Sequence, residues 1–186
     1  MRAALRQQLP AMRPRLRPAE PSDIPALAAF ARETYAAAFG HTFEDPGDLT
    51  SLLDASVSEP AVALWLAEDI VTVAEQGGRI VAFAQYGPTP LGSYGGHPRE
   101  GDAALHRIYV AEGLRNTGVG GELLRVALAT MEGPGQDIYL DVWEGNLGAQ
   151  RLYARHGFAP VGRVKVATAS GASGGYDIVM VRPARP

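Results

Sequence analysis

The sequence predicts an α/β domain built on one mixed sheet. Three observations lead there: a clear β-hairpin pattern at 70–86, a strand, glycine-rich turn and helix in succession at 105–131, and strand and helix patterns that keep alternating towards the C-terminal end. At 186 residues the chain is long enough to bury a core without disulfides or metal, so one domain over 13–186 is expected.

The elements follow in order. Residues 13–17 form the first strand, stopped by Pro18. Ser22 is the candidate N-cap of a helix that places Ile24, Leu27, Ala28, Ala31, Tyr35 and Phe39 on one stripe, with Pro25 in its first turn and Gly40 ending it. Two short helices are expected at 46–56 and 59–68. Strands at 70–75 and 79–86 flank the turn Gln76-Gly77-Gly78. Residues 87–101, rich in Gly and Pro, read as a long loop, and such a loop inside a compact domain is often functional. After the unit at 105–131, Gly133-Pro134-Gly135 turns into a strand at 137–142. A helix at 146–156, stopped by Gly157, precedes strands at 158–167 and 176–181, joined by a small-residue loop at 170–175.

Composition excludes several functions. With no cysteine, thiol catalysis, thiolate metal sites and a disulfide scaffold are ruled out, and no metal site is expected. The formal net charge of −3 argues against nucleic acid as a partner and suits a cationic small molecule. No apolar run reaches the roughly 18 residues of a membrane span. Residues 1–12 carry Arg2 and Arg6 without the apolar core of a secretion signal, so they read as a flexible leader and the expected location is cytoplasmic.

The unit at 105–131 carries the chemistry. Gly118, Gly120 and Gly121 stand at a strand-to-helix junction, where backbone N–H groups can approach an anion unhindered and the helix start adds unpaired donors. A nucleotide P-loop is excluded in practice, because Val119 stands where its lysine must be. A dinucleotide fingerprint fits poorly: Leu123 occupies its third glycine, although Asp141 sits where the ribose-binding acid would. A plain glycine-rich turn is the remaining alternative.

Arg115-Asn116-Thr117-Gly118-Val119-Gly120 resembles the Arg/Gln-x-x-Gly-x-Gly/Ala element of the GNAT superfamily of N-acetyltransferases. Leu105-His106-Arg107-Ile108-Tyr109-Val110 is similar to that family's fourth strand. Asp141-Val142-Trp143-Glu144, with Asn146, Ala149, Leu152, Tyr153, Gly157 and Phe158, resembles its second signature. The resemblance spans 16–181. Glu33-Thr34-Tyr35 with Phe39-Gly40, and Asp177-Ile178-Val179-Met180, are most similar to the polyamine (spermidine/spermine) N-acetyltransferase branch.

The resemblance implies a mostly antiparallel sheet that splays between its fourth and fifth strands to admit acetyl-CoA. It places Asn116, Thr117, Gly118, Val119, Gly120 and Gly121 at the pyrophosphate, Arg115 at the 3′-phosphate or adenosine side, and Ile108, Tyr109, Val110, Asn146 and Ala149 along the pantetheine arm. The Ile108 N–H would point at the thioester carbonyl, a donor of a kind commonly worth about 3 kcal/mol. Tyr153 would act as general acid at the sulfur, or simply pack in its helix; Asn146 would contact the cofactor, cap its helix, or do both. Arg115 reads equally as a solvated surface arginine.

Many members carry a catalytic glutamate where this chain has Ala104. His106, two residues on, is the candidate base, with Asp141, Glu144 or a water chain as substitutes and a satisfied core histidine as the plain alternative. Tyr35, Phe39, His41, Glu44, Asp45 and Asp48, with Glu144, would suit an amine acceptor, or form a solvated acidic loop beside the core. Residues 92–97, with Tyr94, are a candidate lid. The partner expected is a small-molecule amine, and family habit adds a homodimer. The competing class is a non-catalytic acyl-CoA sensor of the same fold, for which Ala104 speaks.

Overall fold

The computed structural model describes residues 13–90, 92–167 and 173–184. Its elements are β1 (Arg15–Pro18), α1 (Ile24–Phe39), α2 (Pro46–Ser56), α3 (Glu59–Glu68), β2 (Ile70–Gln76), β3 (Arg79–Pro88), β4 (Ala103–Val110), α4 (Val119–Met131), β5 (Ile138–Trp143), α5 (Leu147–Arg155), β6 (Ala159–Ala167) and β7 (Ser173–Arg182). Seven strands form one sheet in the order β1-β2-β3-β4-β5-β7-β6. All pairings are antiparallel except β4 with β5, which is parallel.

Two cores lie on opposite faces of the sheet. Leu123, Leu124, Ala127, Leu128 and Met131 form the buried stripe of α4 and pack on Ala82, Leu105, Ile138 and Leu140. On the other face Leu27 and Ala31 of α1 meet Val62 and Trp65 of α3 over Val71, Val73 and Phe83. Burying such apolar side chains stabilises by about 1.5–3 kcal/mol each, so these two layers fix the sheet between them. In the hairpin turn Gly77 and Gly78 both have positive φ (59° and 75°), the conformation a two-residue turn between twisted strands requires.

Several boundaries differ from those expected. Ser22 does not cap α1; a 3₁₀ turn over Pro21–Asp23 precedes the helix. The Asp23 carboxylate accepts from the Glu20 N–H at 2.8 Å and grips Arg17 at 2.6 and 2.8 Å, a charge-assisted arrangement that a serine hydroxyl cannot match. Gly40 ends α1 without turning left-handed, because the chain continues as a 3₁₀ turn over Gly40–Thr42. β7 starts at Ser173, so the expected loop at 170–175 is partly strand; its residues 170–172, like the leader 1–12, lie outside the described residues.

Candidate active site

β4 and β5 pair only at Ala103 with Ile138 and Ala104 with Tyr139, then part. Beyond that point β4 has β3 on one side and an open gap on the other. The Ala111 N–H donates to the Val81 carbonyl at 2.9 Å, and alternate residues of a strand direct their N–H groups to opposite edges. The N–H groups of Ile108 and Val110 therefore face the gap. A cleft of about 740 Å³ fills it, lined by His106 to Val110, Gly120, Asp141, Val142, Trp143, Asn146, Ala149, Leu152, Tyr153 and Asp177, and on the α1 side by Tyr35, Phe39 and Tyr94.

At one end of the cleft the chain turns into α4. Asn116 (φ 63°) and Gly118 (φ 98°) are left-handed, and Gly118 is the N-cap. The first bond back is Glu122 N–H to the Gly118 carbonyl at 3.0 Å, which leaves the N–H groups of the preceding helical residues without a helical partner. Positive dipole and free donors suit a diphosphate. At Gly120 an added Cβ would come within 3.5 Å of Val110 Cγ2, so the helix start and the strand edge are close neighbours. Arg115 and Gly120 line the cleft, whereas Asn116, Thr117, Gly118, Val119 and Gly121 lie outside its walls; the Thr117 hydroxyl donates to the Leu114 carbonyl at 2.7 Å and the Val119 side chain is buried in the core.

Asn146 is the N-cap of α5: its Oδ1 accepts from the Ala149 N–H at 3.1 Å, and the residue also lines the cleft. Tyr153, about two turns further, is only 5% exposed. Its hydroxyl has no hydrogen-bond partner among the described residues, and its ring packs on Phe158. Burial, with the Asp141 charge adding to it, pushes the Tyr153 phenol well above its ordinary value.

The register of β3 on β4 shifts between Gln85, opposite Arg107, and Tyr86, opposite Leu105, so His106 bulges from the ladder. His106 Nε2 lies 3.5 Å from Asp69 Oδ1, which leaves Nδ1 as its other ring nitrogen. Gln85 joins the group, donating to Asp69 Oδ2 at 2.6 Å and accepting from Arg107 at 2.6 Å; Arg107 in turn stacks 4.6 Å over Trp65. Burial raises the Asp69 carboxyl, but its contacts with His106 and Gln85 outweigh that and hold it below the ordinary range. Gly87 makes room for Asp69, whose carboxylate occupies the space a Cβ would fill. Ala104, fully buried, brings only a methyl group.

The opposite end of the cleft is floored by β5 and β7. Trp143 pairs across the ladder with Asp177, and Asp141 with Val179, so Asp141 and Asp177 share one face. The Trp143 ring meets Phe39 at 6.2 Å and His41 at 5.6 Å; Tyr35 packs on Phe39 and Tyr109. Tyr94, in a 3₁₀ turn of the predicted lid, stacks on Tyr139 at 6.0 Å. Burial, and then the Asp141 and Glu144 charges, raise the Asp177 carboxyl to about 6; burial also raises that of Asp141.

The tentative acceptor residues divide. Tyr35 and Phe39 are walls, while Glu44 and Glu144 are exposed outside the cleft, and Glu144 Oε1 accepts from the Tyr176 N–H at 3.3 Å. Asp45 caps α2 through the Gly47 N–H at 2.7 Å. Sequence reasoning missed Asp69, Arg107 and Asp177 as site residues. The signal for the last two was a charge inside an otherwise apolar strand; Asp69, at the end of α3, gave none. No cluster of metal-ligating side chains occurs among the described residues.

A sheet parted between a parallel strand pair, a glycine turn opening a helix beside it, and a tyrosine across the gap define an acyl-CoA-dependent acyltransferase. The chain belongs to the acetyltransferase (GNAT) family, whose sequence profile matches residues 28–158. Its members take their acetyl group from acetyl-CoA, and the diphosphate-suited turn and open strand edge of this chain fit that cofactor. Among solved structures it is similar to the histone acetyltransferase HPA2 and related acetyltransferase from Corynebacterium glutamicum, at 23% identity and TM-score 0.69 over 94% of this chain and 99% of that one. It is also similar to the PaiA N-acetyltransferase from Thermoplasma acidophilum, solved in complex with coenzyme A, at 16% identity and TM-score 0.69 over 92% and 99%. The ribosomal-protein-S18-alanine N-acetyltransferase from Escherichia coli matches at 22% identity and TM-score 0.63 over 93% and 96%. At these identities the likeness is one of fold. Comparison with characterised protein sequences finds no significant match. No described helix is long and apolar enough to cross a membrane.

Proposed function

We propose that the protein acetylates the primary amine of a small molecule, a simple amine or polyamine, by direct attack in a ternary complex. The observation that carries this is the convergence on one cleft of the Ile108 N–H, the partnerless Tyr153 hydroxyl and the His106 imidazole. The Ile108 N–H donates to the thioester oxygen and stabilises the charge that develops there. His106, oriented by Asp69 through Nε2, takes a proton from the ammonium at Nδ1 and so frees the lone pair that attacks; the N–C bond then forms, the C–S bond breaks, and the second proton the nitrogen sheds passes to solvent.

Tyr153 then serves the departing sulfur. A thiol ionises near 8.5, so full proton transfer from a phenol pushed above its ordinary 10 is uphill by more than about 2 kcal/mol. Its role is a hydrogen bond to the thiolate, which picks up its proton from solvent on release. Arg115, Asn116 and the Gly118-Val119-Gly120-Gly121 turn bind the diphosphate, and Asn146 and Ala149 flank the pantetheine arm.

Thiol release from acetyl-CoA, scored over a panel of primary amines, amino acids, aminoglycosides and peptide N-termini, tests the proposal: small amines turn over. The methyl of Ala104, where relatives hold a carboxylate, favours the acyl-CoA sensor instead. A coenzyme A-induced rise in melting temperature with no turnover on any amine would establish that second reading.

A further inference from the structure

We infer that the acceptor carries a second positive charge besides the amine that reacts, and that Asp141 and Asp177 hold it: the substrate class is an aliphatic dication, a diamine or longer polyamine. This rests on the N-acetyltransferase reading and narrows it.

Asp141 and Asp177 sit diagonally on the shared face of β5 and β7, where such neighbours are about 7–8 Å apart. Both line the cleft, and among the described residues neither has an ion-pair partner. Arg107 is the cation at this end: its charge reaches Asp141 through space, while the guanidinium itself donates to Gln85, stacks on Trp65 and forms no ion pair with either aspartate. His106 faces Asp69 rather than either aspartate. At this end of the cleft two carboxylates therefore face one guanidinium, which leaves a net negative charge. Tyr153, more than nine-tenths buried with its hydroxyl unpartnered and close enough to feel Asp141, independently marks the same space as one a ligand completes.

The chemistry of transfer says which nitrogen the aspartates hold. The attacking nitrogen must lose its proton, and a carboxylate pressed against it keeps that proton on. Two carboxylates spent on the reacting ammonium would oppose the reaction, whereas on a distant ammonium they orient the substrate without that penalty. Around them Tyr35, Phe39, Tyr94 and Trp143 offer aromatic faces that suit both a methylene chain and a cation. A carboxylate-bearing acceptor is repelled by the same pair.

The experiment compares three acceptors of similar length with saturating acetyl-CoA: putrescine, butylamine and γ-aminobutyrate. The expected kcat/KM for putrescine exceeds that for butylamine about thirtyfold, with γ-aminobutyrate lowest. Asp177→Asn and Asp141→Asn each cut the putrescine-to-butylamine ratio about tenfold, as loss of a charged hydrogen-bond partner predicts. Calorimetric titration of putrescine into the coenzyme A complex gives a second readout, a Kd that weakens with added salt. Should a variant fail to fold, the wild-type ratio and the salt dependence decide. Equal rates for putrescine and butylamine, or a ratio that survives both substitutions, overturn the inference and leave the acetyltransferase reading standing. Turnover of no amine at all removes both.

Discussion

Where the cleft meets the start of α4 its working surface is mostly main chain, whereas at the β5–β7 floor it is side chains drawn from distant parts of the sequence. The first end presents the N–H groups of Ile108 and Val110, with the left-handed Asn116 and Gly118 just beyond its walls where α4 opens. The second presents Asp141, Trp143 and Asp177 with Tyr35, Phe39 and Tyr94. In the proposed function main-chain donors grip what every acetyl-CoA has in common, so that end would depend on backbone conformation more than on side-chain identity. Side chains on a rigid sheet can be exchanged without altering the fold, so on the proposed function the floor is where acceptor choice would reside.

The comparison breaks most readily at Gly118. With φ at 98°, valine there is strained whatever space surrounds it. Gly118→Val should abolish the coenzyme A-induced rise in melting temperature and lower kcat/KM by about 100-fold or more, while destabilising the fold by about 1–3 kcal/mol. A variant that still binds coenzyme A like the parent would show that turn geometry is not what holds the diphosphate.

Tyr153→Phe removes one hydroxyl without emptying the core. Loss of one preorganised donor predicts a fall in kcat of about 100-fold, with KM for acetyl-CoA little changed. Full turnover across pH in single-turnover assays would end its assignment to the sulfur. Asp69→Asn acts one step further back. It should reduce kcat about tenfold through a less well-oriented His106, again without moving KM for acetyl-CoA; a change confined to KM would place Asp69 outside the chemistry.

The smallest effect has the opposite sign. The Asp177 carboxyl titrates near 6 in the folded protein against an ordinary 3.8, so the folded state binds this proton more tightly than the unfolded chain. The resulting stabilisation is complete below about pH 3.8 and is lost as pH rises through about 6. Two units correspond to about 3 kcal/mol, roughly halved for a half-buried group, so Asp177→Asn should gain about 1–2 kcal/mol at pH 7 and almost nothing near pH 3.5. Denaturant titration at the two pH values measures this. A loss of stability at pH 7 would mean that the carboxylate has a partner in the fold.

The same division governs what could be read from the chain alone. The strand, glycine turn and helix at 105–131, the hairpin and the Asn146 cap are local patterns, and they stand within a few residues of where periodicity put them. The β4 bulge at His106 left no such trace, because a bulge is defined against the partner strand. Nor could adjacency in sequence disclose Asp69, which reaches His106 across 37 positions only once β2 and β3 have folded β4 into place. Glu44 and Glu144 misled by their chemistry: both are acids near the cleft in sequence, yet both are exposed and neither lines it.

The strand order has a consequence for how the molecule is made. β7 is the last strand of the chain, but it lies between β5 and β6 in the sheet. Until its residues leave the ribosome, β5 keeps an edge of unpaired main-chain N–H and C=O groups and the cleft floor lacks Asp177. A nascent chain ending after Phe158 would have every glycine of the cofactor turn and yet no finished seat for an acceptor, with an open rim primed for unwanted pairing.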